Sequence, residues 1–253
     1  MVKTVEILGL SFINELPEKV FQLLSVKGGL MTVPSGPGLS TIPDDQYYYK
    51  ALLNSDVTIA DSGYMVLIWN YILRGPKIKH LSGVEFMEFF IGKVASDQFC
   101  ESIFLVNPSE NEDFANRSLI KGLNNSINID SYVAPYYSSN GIIEDPILLE
   151  LLEEKKPHWI LLNIAGGKQE KLGSWLKEKL SYKPAIICTG AAIAFFTGNQ
   201  VKLPVWVVNL YFGWLVRIIS SPSKYFRRYT DAFKLFPLLL KYKDNRVNFN
   251  VLE

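Results

Sequence analysis

At 253 residues, with 48% hydrophobic and 20% charged side chains, the chain holds enough apolar material for one large or two small cores and is not of disordered composition. Its net charge is close to neutral at +1, and two distant cysteines, Cys100 and Cys188, lack His or Cys neighbours at ligand spacing. Neither a zinc site nor a disulfide framework is suggested, and reduced, buried thiols in a reducing cytoplasm are expected.

The first residues, Met1-Val-Lys-Thr-Val-Glu-Ile-Leu8, carry charge inside an apolar run and read as a strand rather than a signal peptide. From there, short runs of Val, Ile and Leu alternate with longer segments of helical period, the pattern of a parallel sheet covered by helices. Strands are expected near Thr4 to Leu8, Leu30 to Val33, Val57 to Ala60, Ser102 to Val106, Ile127 to Ala134, Trp159 to Ile164 and Ala185 to Thr189. Helices are expected near Leu16 to Lys27, Asp45 to Asn54, Tyr64 to Leu73, Gly83 to Ser96, Asn111 to Leu123, Asp145 to Lys155 and Glu170 to Leu180. The fold class is an α/β sandwich of Rossmann-like character: a parallel sheet flanked by helices, with a C-terminal helical appendage that is basic and aromatic.

The plausible linker lies around Gly198 to Pro204, which suggests a catalytic α/β domain over residues 1–200 and an appendage over 201–253 that packs against it. Residues 201–253 hold nine Lys/Arg against three Asp/Glu, a net +6, whereas the first 200 residues hold 17 against 22, a net −5. Trp206, Tyr211, Phe212, Trp214, Tyr225, Phe226 and Tyr229 are interleaved with those cations. Such a mixture serves nucleic acid or an anionic membrane surface, and the apolar content favours the membrane. Docking on the domain or on another copy of the chain is the competing use of the same amphipathic face. The longest apolar run, Val205 to Ile219, contains Asn209, Gly213 and Arg217 and is shorter than the roughly 20 residues a spanning helix needs.

Ligands of open parallel sheets bind beyond the carboxyl ends of the strands. Three places there carry chemistry: Thr32 with Pro34-Ser-Gly36, Asp61-Ser-Gly63, and Gly166-Gly-Lys-Gln169. Asp61 follows an apolar run and either projects into the crevice or caps the next helix. Gly166 and Gly167 permit close backbone approach at a helix N-terminus, where free N–H groups can receive an anion such as a diphosphate. Neither a Walker A loop nor Gly-x-Gly-x-x-Gly is present, which counts against phosphoryl transfer and NAD binding. No Asp-x-Asp ends an apolar strand, and Asp44-Asp45 and Glu110, Glu112 and Asp113 read as solvated helix starts.

Four blocks in the second half complete the reading: Ile164-Ala-Gly-Gly-Lys-Gln-Glu170, Lys202-Leu-Pro-Val-Trp206, Gly213-Trp-Leu-Val-Arg217 and Ser221-Pro-Ser-Lys-Tyr-Phe-Arg-Arg-Tyr229. In order and gap they resemble the WecG/TagA/CpsF family of bacterial glycosyltransferases, whose pattern runs Gly-x-Pro-Lys-Gln-Glu, Arg-Ala-Pro-x-Trp, Glu-Trp-Leu-x-Arg and Glu-Pro-x-x-x-x-Arg-Arg-Tyr. The resemblance implies an inverting transfer of a hexose or N-acetylhexosamine type sugar from a UDP donor to a polyprenyl-diphosphate-linked saccharide, in surface polysaccharide or wall polymer biosynthesis. It implies a cytoplasmic protein, peripheral on the inner face of the membrane, that uses neither metal nor organic cofactor, binds no nucleic acid and is compatible with homo-oligomers.

By resemblance Asp61 is the general base, taking the proton of the acceptor hydroxyl as its oxygen attacks the anomeric carbon. Gly166, Gly167, Lys168 and Gln169 are assigned to the phosphate region, Thr32 to the sugar or diphosphate, His80 to substrate binding near the base and donor, Glu85 to the sugar or a helix cap, and Arg217, Arg227 and Arg228 to the departing diphosphate. The chain departs from the pattern in four places: Ala60-Asp61-Ser62 stands for Pro-Asp-Gly, Gly167 for a proline, His80 for an arginine, and an apolar residue around Ala194 for an acid. Those departures sustain an alternative reading, a non-catalytic nucleotide-sugar-binding or scaffold partner of another transferase. A weaker one is an NAD-dependent oxidoreductase on the same kind of sheet.

Overall fold

The computed structural model describes residues 2–197 and 232–249. The 200/201 domain boundary, the linker, Arg217, Arg227 and Arg228 lie outside the described residues. Eight strands form one sheet in the order β1-β2-β4-β3-β8-β7-β5-β6. These are β1 (Thr4–Ile7), β2 (Leu10–Ile13), β3 (Gly29–Thr32), β4 (Val57–Thr58), β5 (Ile103–Asn107), β6 (Ile129–Val133), β7 (Trp159–Leu162) and β8 (Ala185–Cys188). Only β1 runs antiparallel, against β2; the other pairs are parallel. The Rossmann-like α/β architecture is the one expected, and all seven expected strands are found.

The helices are α1 (Pro17–Lys27), α2 (Gly36–Ser40), α3 (Gln46–Leu53), α4 (Gly63–Leu67), α5 (Gly83–Val94), α6 (Glu110–Leu123), α7 (Pro146–Lys155), α8 (Lys168–Lys179) and α9 (Leu235–Tyr242). Their starts follow from short polar side chains that accept an orphan backbone N–H. Ser35, Asp45, Ser62, Ser82, Ser109 and Asp145 cap α2 to α7 in turn. The expected helix from Tyr64 to Leu73 is α4 followed by a π-helical turn over Ile68–Ile72. Among the described residues no helix is long and apolar enough to cross a membrane.

Strand side chains alternate between two layers. Leu105, Trp159, Leu161, Ile187 and Met31 pack with α1, α5 and α6, whereas Phe104, Ile160, Leu162, Ile186 and Leu30 pack with α7 and α8. In the first layer Trp159 is wholly buried, stacked on Phe21 at 4.9 Å between centroids and met edge-on by Phe90 at 5.1 Å. Cys188 is buried as expected, but Cys100 is exposed, since it follows the apolar Phe99 into an irregular link and has no apolar face of its own to join.

A third cluster covers β1 and β2, and it contains Leu235, Leu238 and Leu239 of α9 together with Val247. Leu8 and Gly9, both at positive φ, turn β1 back into β2. Their N–H groups donate to the carbonyls of Lys243 at 2.6 Å and Asp244 at 3.1 Å. A Cβ on Gly9 would lie 2.8 Å from the Arg246 Cα, so this turn accepts only glycine under the returning chain.

Candidate active site

After β3 the chain leads into α3, which packs against α8, and after β8 it turns to the opposite layer, against α5. Adjacent strands that lead to opposite layers open a crevice at their carboxyl ends. The loops following β4, β3, β8 and β7 line it. β4 and β7 are three strand spacings apart, about 14 Å at roughly 4.8 Å each, a span that an extended nucleotide sugar covers.

At one end stands Asp61. Its neighbour Ser62 caps α4, through a 3.2 Å bond from the Met65 N–H, so Asp61 is not the cap of the helix that follows it. Its Oδ1 instead accepts the Gly83 N–H at 2.9 Å, at the start of α5, and no side-chain bond engages Oδ2 among the described residues. His80 lies behind it, with Nε2 2.9 Å from the Asp61 carbonyl oxygen. A carbonyl only accepts, so that ring nitrogen carries the hydrogen, and His80 holds the backbone of Asp61 in place. Glu85 is exposed in the first turn of α5, and its N–H is taken by Ser82.

The point where a Cβ on Gly83 would sit lies 3.9 Å from Asp61 Oδ1, 3.9 Å from Thr189 Cβ and 3.0 Å from Val33. Thr189, just past β8, therefore shares the end of the crevice that Asp61 occupies. Thr32 is placed differently: it is wholly buried, and its hydroxyl meets Ser55 at 3.0 Å and Thr58 at 3.2 Å beneath the loops.

At the other end the Gly166-Gly167 turn, with Gly167 at φ 83°, leads into α8. Three of the N–H groups expected to face an anion are occupied within the turn. That of Gly167 donates to Glu170 Oε2 at 2.6 Å, and those of Lys168 and Gln169 donate to the Ala165 carbonyl. Glu170 is buried, and loss of hydration pushes its carboxyl from 4.5 up to about 7 against the opposing effect of these bonds. Lys168 reaches outward, its ammonium 4.0 Å over the ring of the exposed Tyr136. The next lysine, Lys171, is buried and paired with Asp45 at 2.6 Å, while it also donates to the Ser139 carbonyl.

Gln169 lies beneath this turn, 4% exposed. Its Nε2 donates to Glu170 Oε1 at 2.9 Å and to the Cys188 carbonyl at 3.1 Å, and its Oε1 has no partner among the described residues. Gly190 follows at φ 58°, and its bare Cα leaves room beside that amide. Ala194 is buried in the following 3-10 helix over Gly190–Phe195, so the expected apolar replacement of an acid lies within the core.

Asn107, Asn163, Asn116 and Asp113 extend the polar floor between β7 and β5. Asn107 donates to Asp113 at 2.8 Å and accepts from Asn116 at 2.7 Å and Asn163 at 2.8 Å. Asp113 is thus 7% exposed rather than a solvated helix start, because it is the sole anion of a buried amide cluster. Sequence reasoning missed this cluster and Thr189. The one available signal was an asparagine directly after each of two apolar runs, Ile103-Phe-Leu-Val106 and Trp159-Ile-Leu-Leu162.

The family model described as the glycosyl transferase WecG/TagA/CpsF family matches residues 4–248. The chain is also similar to the N-acetylglucosaminyldiphosphoundecaprenol N-acetyl-beta-D-mannosaminyltransferase of Bacillus subtilis (strain 168), with 23% identity over 243 residues that cover 94% of this chain and 89% of the relative.

Proposed function

From the fact that this chain belongs to the WecG/TagA/CpsF family and is a glycosyltransferase, we propose that it moves a hexose or N-acetylhexosamine type sugar, with inversion, from UDP to a polyprenyl-diphosphate-linked saccharide. The relative's name, a transferase acting on a diphosphoundecaprenol-linked sugar, supports the acceptor class. The observation that carries the reading is the carboxylate of Asp61, oriented by Gly83 and His80 in the crevice whose far side is the Gly166–Gln169 turn.

With Oδ1 held by the Gly83 N–H, Oδ2 is the basic oxygen. It takes the acceptor hydroxyl proton while the acceptor oxygen forms a bond to the anomeric carbon. The bond from that carbon to the diphosphate oxygen breaks, and UDP leaves with the electron pair. Lys168 is the described cation nearest the turn, and its charge would meet the developing negative charge of the diphosphate.

The reaction is proposed to need no metal. Four of the described carboxylates around the crevice are engaged by a donor, Asp61 by Gly83, Glu170 by Gly167 and Gln169, Asp113 by Asn107, and Asp45 by Lys171, which leaves the exposed Glu85 without a second free crevice carboxylate, among the described residues, for a metal to share. Arg217, Arg227 and Arg228 are proposed to supply further cations. In support, the chain re-enters the described structure at Ala232, whose Cβ is 4.0 Å from the point a Cβ on Gly36 would occupy, beside Ser62. Work at the inner membrane surface, with residues 201–253 as the membrane-associating appendage apart from Val247 and the face of α9 that the core buries, belongs to the same proposal, as does Glu85 as a sugar contact.

The test is transfer from a panel of UDP-sugars to lipid-diphosphate acceptors in EDTA. Wild-type protein is expected to release UDP and extend the acceptor. Absence of transfer with every donor, or full transfer by Asp61→Asn, overturns the mechanism. The scaffold reading draws on one observation, the occupied N–H groups of the Gly167 turn, and predicts that the isolated protein binds no UDP.

A further inference from the structure

Three of the buried polar atoms that lack a partner among the described residues lie at the carboxyl ends of β7 and β8: Asn163 Oδ1, Gln169 Oε1 and Thr189 Oγ1. A buried polar atom left unmatched is destabilising and rare in a folded protein, so three along one edge mark where a ligand completes the protein. Their polarity identifies the ligand group.

The amide of Gln169 cannot be turned over, because its nitrogen faces the Cys188 carbonyl, which only accepts. The second hydrogen on that nitrogen goes to Glu170. What remains on Gln169 is an acceptor. Asn163 is fixed in the same way through a relay. Asp113 accepts, so Asn107 presents its nitrogen there and its oxygen to Asn163, which must answer with its own nitrogen. Again an acceptor is left. Both relays begin at a buried carboxyl group and end in an unmatched carbonyl oxygen. The niche over Gly190 adds another, since the Ile164 carbonyl oxygen and Gln169 Oε1 lie 3.4 Å and 3.5 Å from where a Cβ would be.

A diphosphate offers only acceptors and finds no bond from either amide. Resting on the nucleotide-sugar reading above, we propose that this floor is a subsite for the hydroxyl or acetamido N–H donors of the transferred sugar ring, and that Gln169 and Asn163 do not bind the phosphates. The sugar lies between Asp61 and Gln169. Thr189, which shares the Asp61 end of the crevice through Gly83, is the donor-or-acceptor hydroxyl nearest the reacting carbon. Specificity follows from this arrangement: a ring lacking a hydroxyl or N–H that meets one of these oxygens leaves a buried acceptor unmatched and is rejected.

The experiment titrates wild type, Thr189→Val and Asn163→Leu with UDP alone and with UDP-hexoses and UDP-N-acetylhexosamines. Thr189→Val removes an atom with no described partner. Asn163→Leu leaves Asn107 with its bond from Asn116, and thermal unfolding checks that each variant is folded. The expected result is UDP affinity within about twofold of wild type, and a loss of about tenfold or more for the UDP-sugar that wild type prefers. Equal losses for UDP and UDP-sugar, or no loss for either, overturn the sugar subsite while leaving nucleotide binding intact. Wild-type protein that binds neither UDP nor any UDP-sugar overturns the nucleotide-sugar reading itself, and this inference falls with it.

Discussion

Replacing Glu170 by Gln isolates the buried carboxyl beneath the crevice. Only 1% of Glu170 is exposed, and burial raises its titration from 4.5 to about 7 although Gln169, Gly167 and the Lys171 ammonium all favour the charged form. Between those two values the folded chain holds a proton that the unfolded chain has released. Unfolding free energy therefore falls as pH rises from 4.5 through 7, and the full cost stands above 7. The interval corresponds to about 3 kcal/mol. Glutamine cannot ionise, so the variant lacks this slope, although it exchanges one acceptor oxygen for a donor and loses about 1 kcal/mol at every pH. Urea unfolding of both proteins between about pH 5 and pH 8 is the assay. The stability of the variant relative to wild type should rise by about 2–3 kcal/mol across that range. Two curves that stay parallel would mean that Glu170 keeps an ordinary carboxyl group, and the argument from burial would fail.

Asp61→Asn keeps the acceptor for the Gly83 N–H, so transfer should drop by about 10²–10⁴-fold with the unfolding midpoint nearly unchanged; equal losses of activity and stability would count against a base. Asp45→Asn retains the cap on α3 but strands the buried ammonium of Lys171, which should cost about 3 kcal/mol in urea unfolding. Leu239→Ala, in the wholly buried face of α9, should cost about 2–5 kcal/mol, and a change under 1 kcal/mol would show that α9 is dispensable to the core.

The sheet was legible because its strands are short apolar runs and six helices begin at a Ser or Asp whose capping depends only on local sequence. β2 was missed because the turn before it puts Leu8 at φ 55°, a conformation no local signal predicts for leucine and one held here by bonds to Lys243 and Asp244. In the crevice, Asp61 and the Gly166–Gln169 turn could be placed because they follow strands. What their donors and acceptors face could not. The bond from Gly167 to Glu170 satisfies the N–H that position alone offered to an anion, and Asp113 looked solvated until Asn107, from another element, was brought against it.

The contact between the first hairpin and residues 243–247 bears on how the chain is made. Val247 donates to the hydroxyl of Tyr49 across 198 residues, and at ribosomal speeds of roughly 5–20 residues per second that partner emerges about 10–40 seconds later. Throughout that interval the apolar surface of Leu39, Tyr48, Tyr49 and Met65, which α9 helps to cover, stands open on the nascent polypeptide. Translation that stalls before Leu235 should therefore yield a sticky chaperone client instead of a smaller working enzyme.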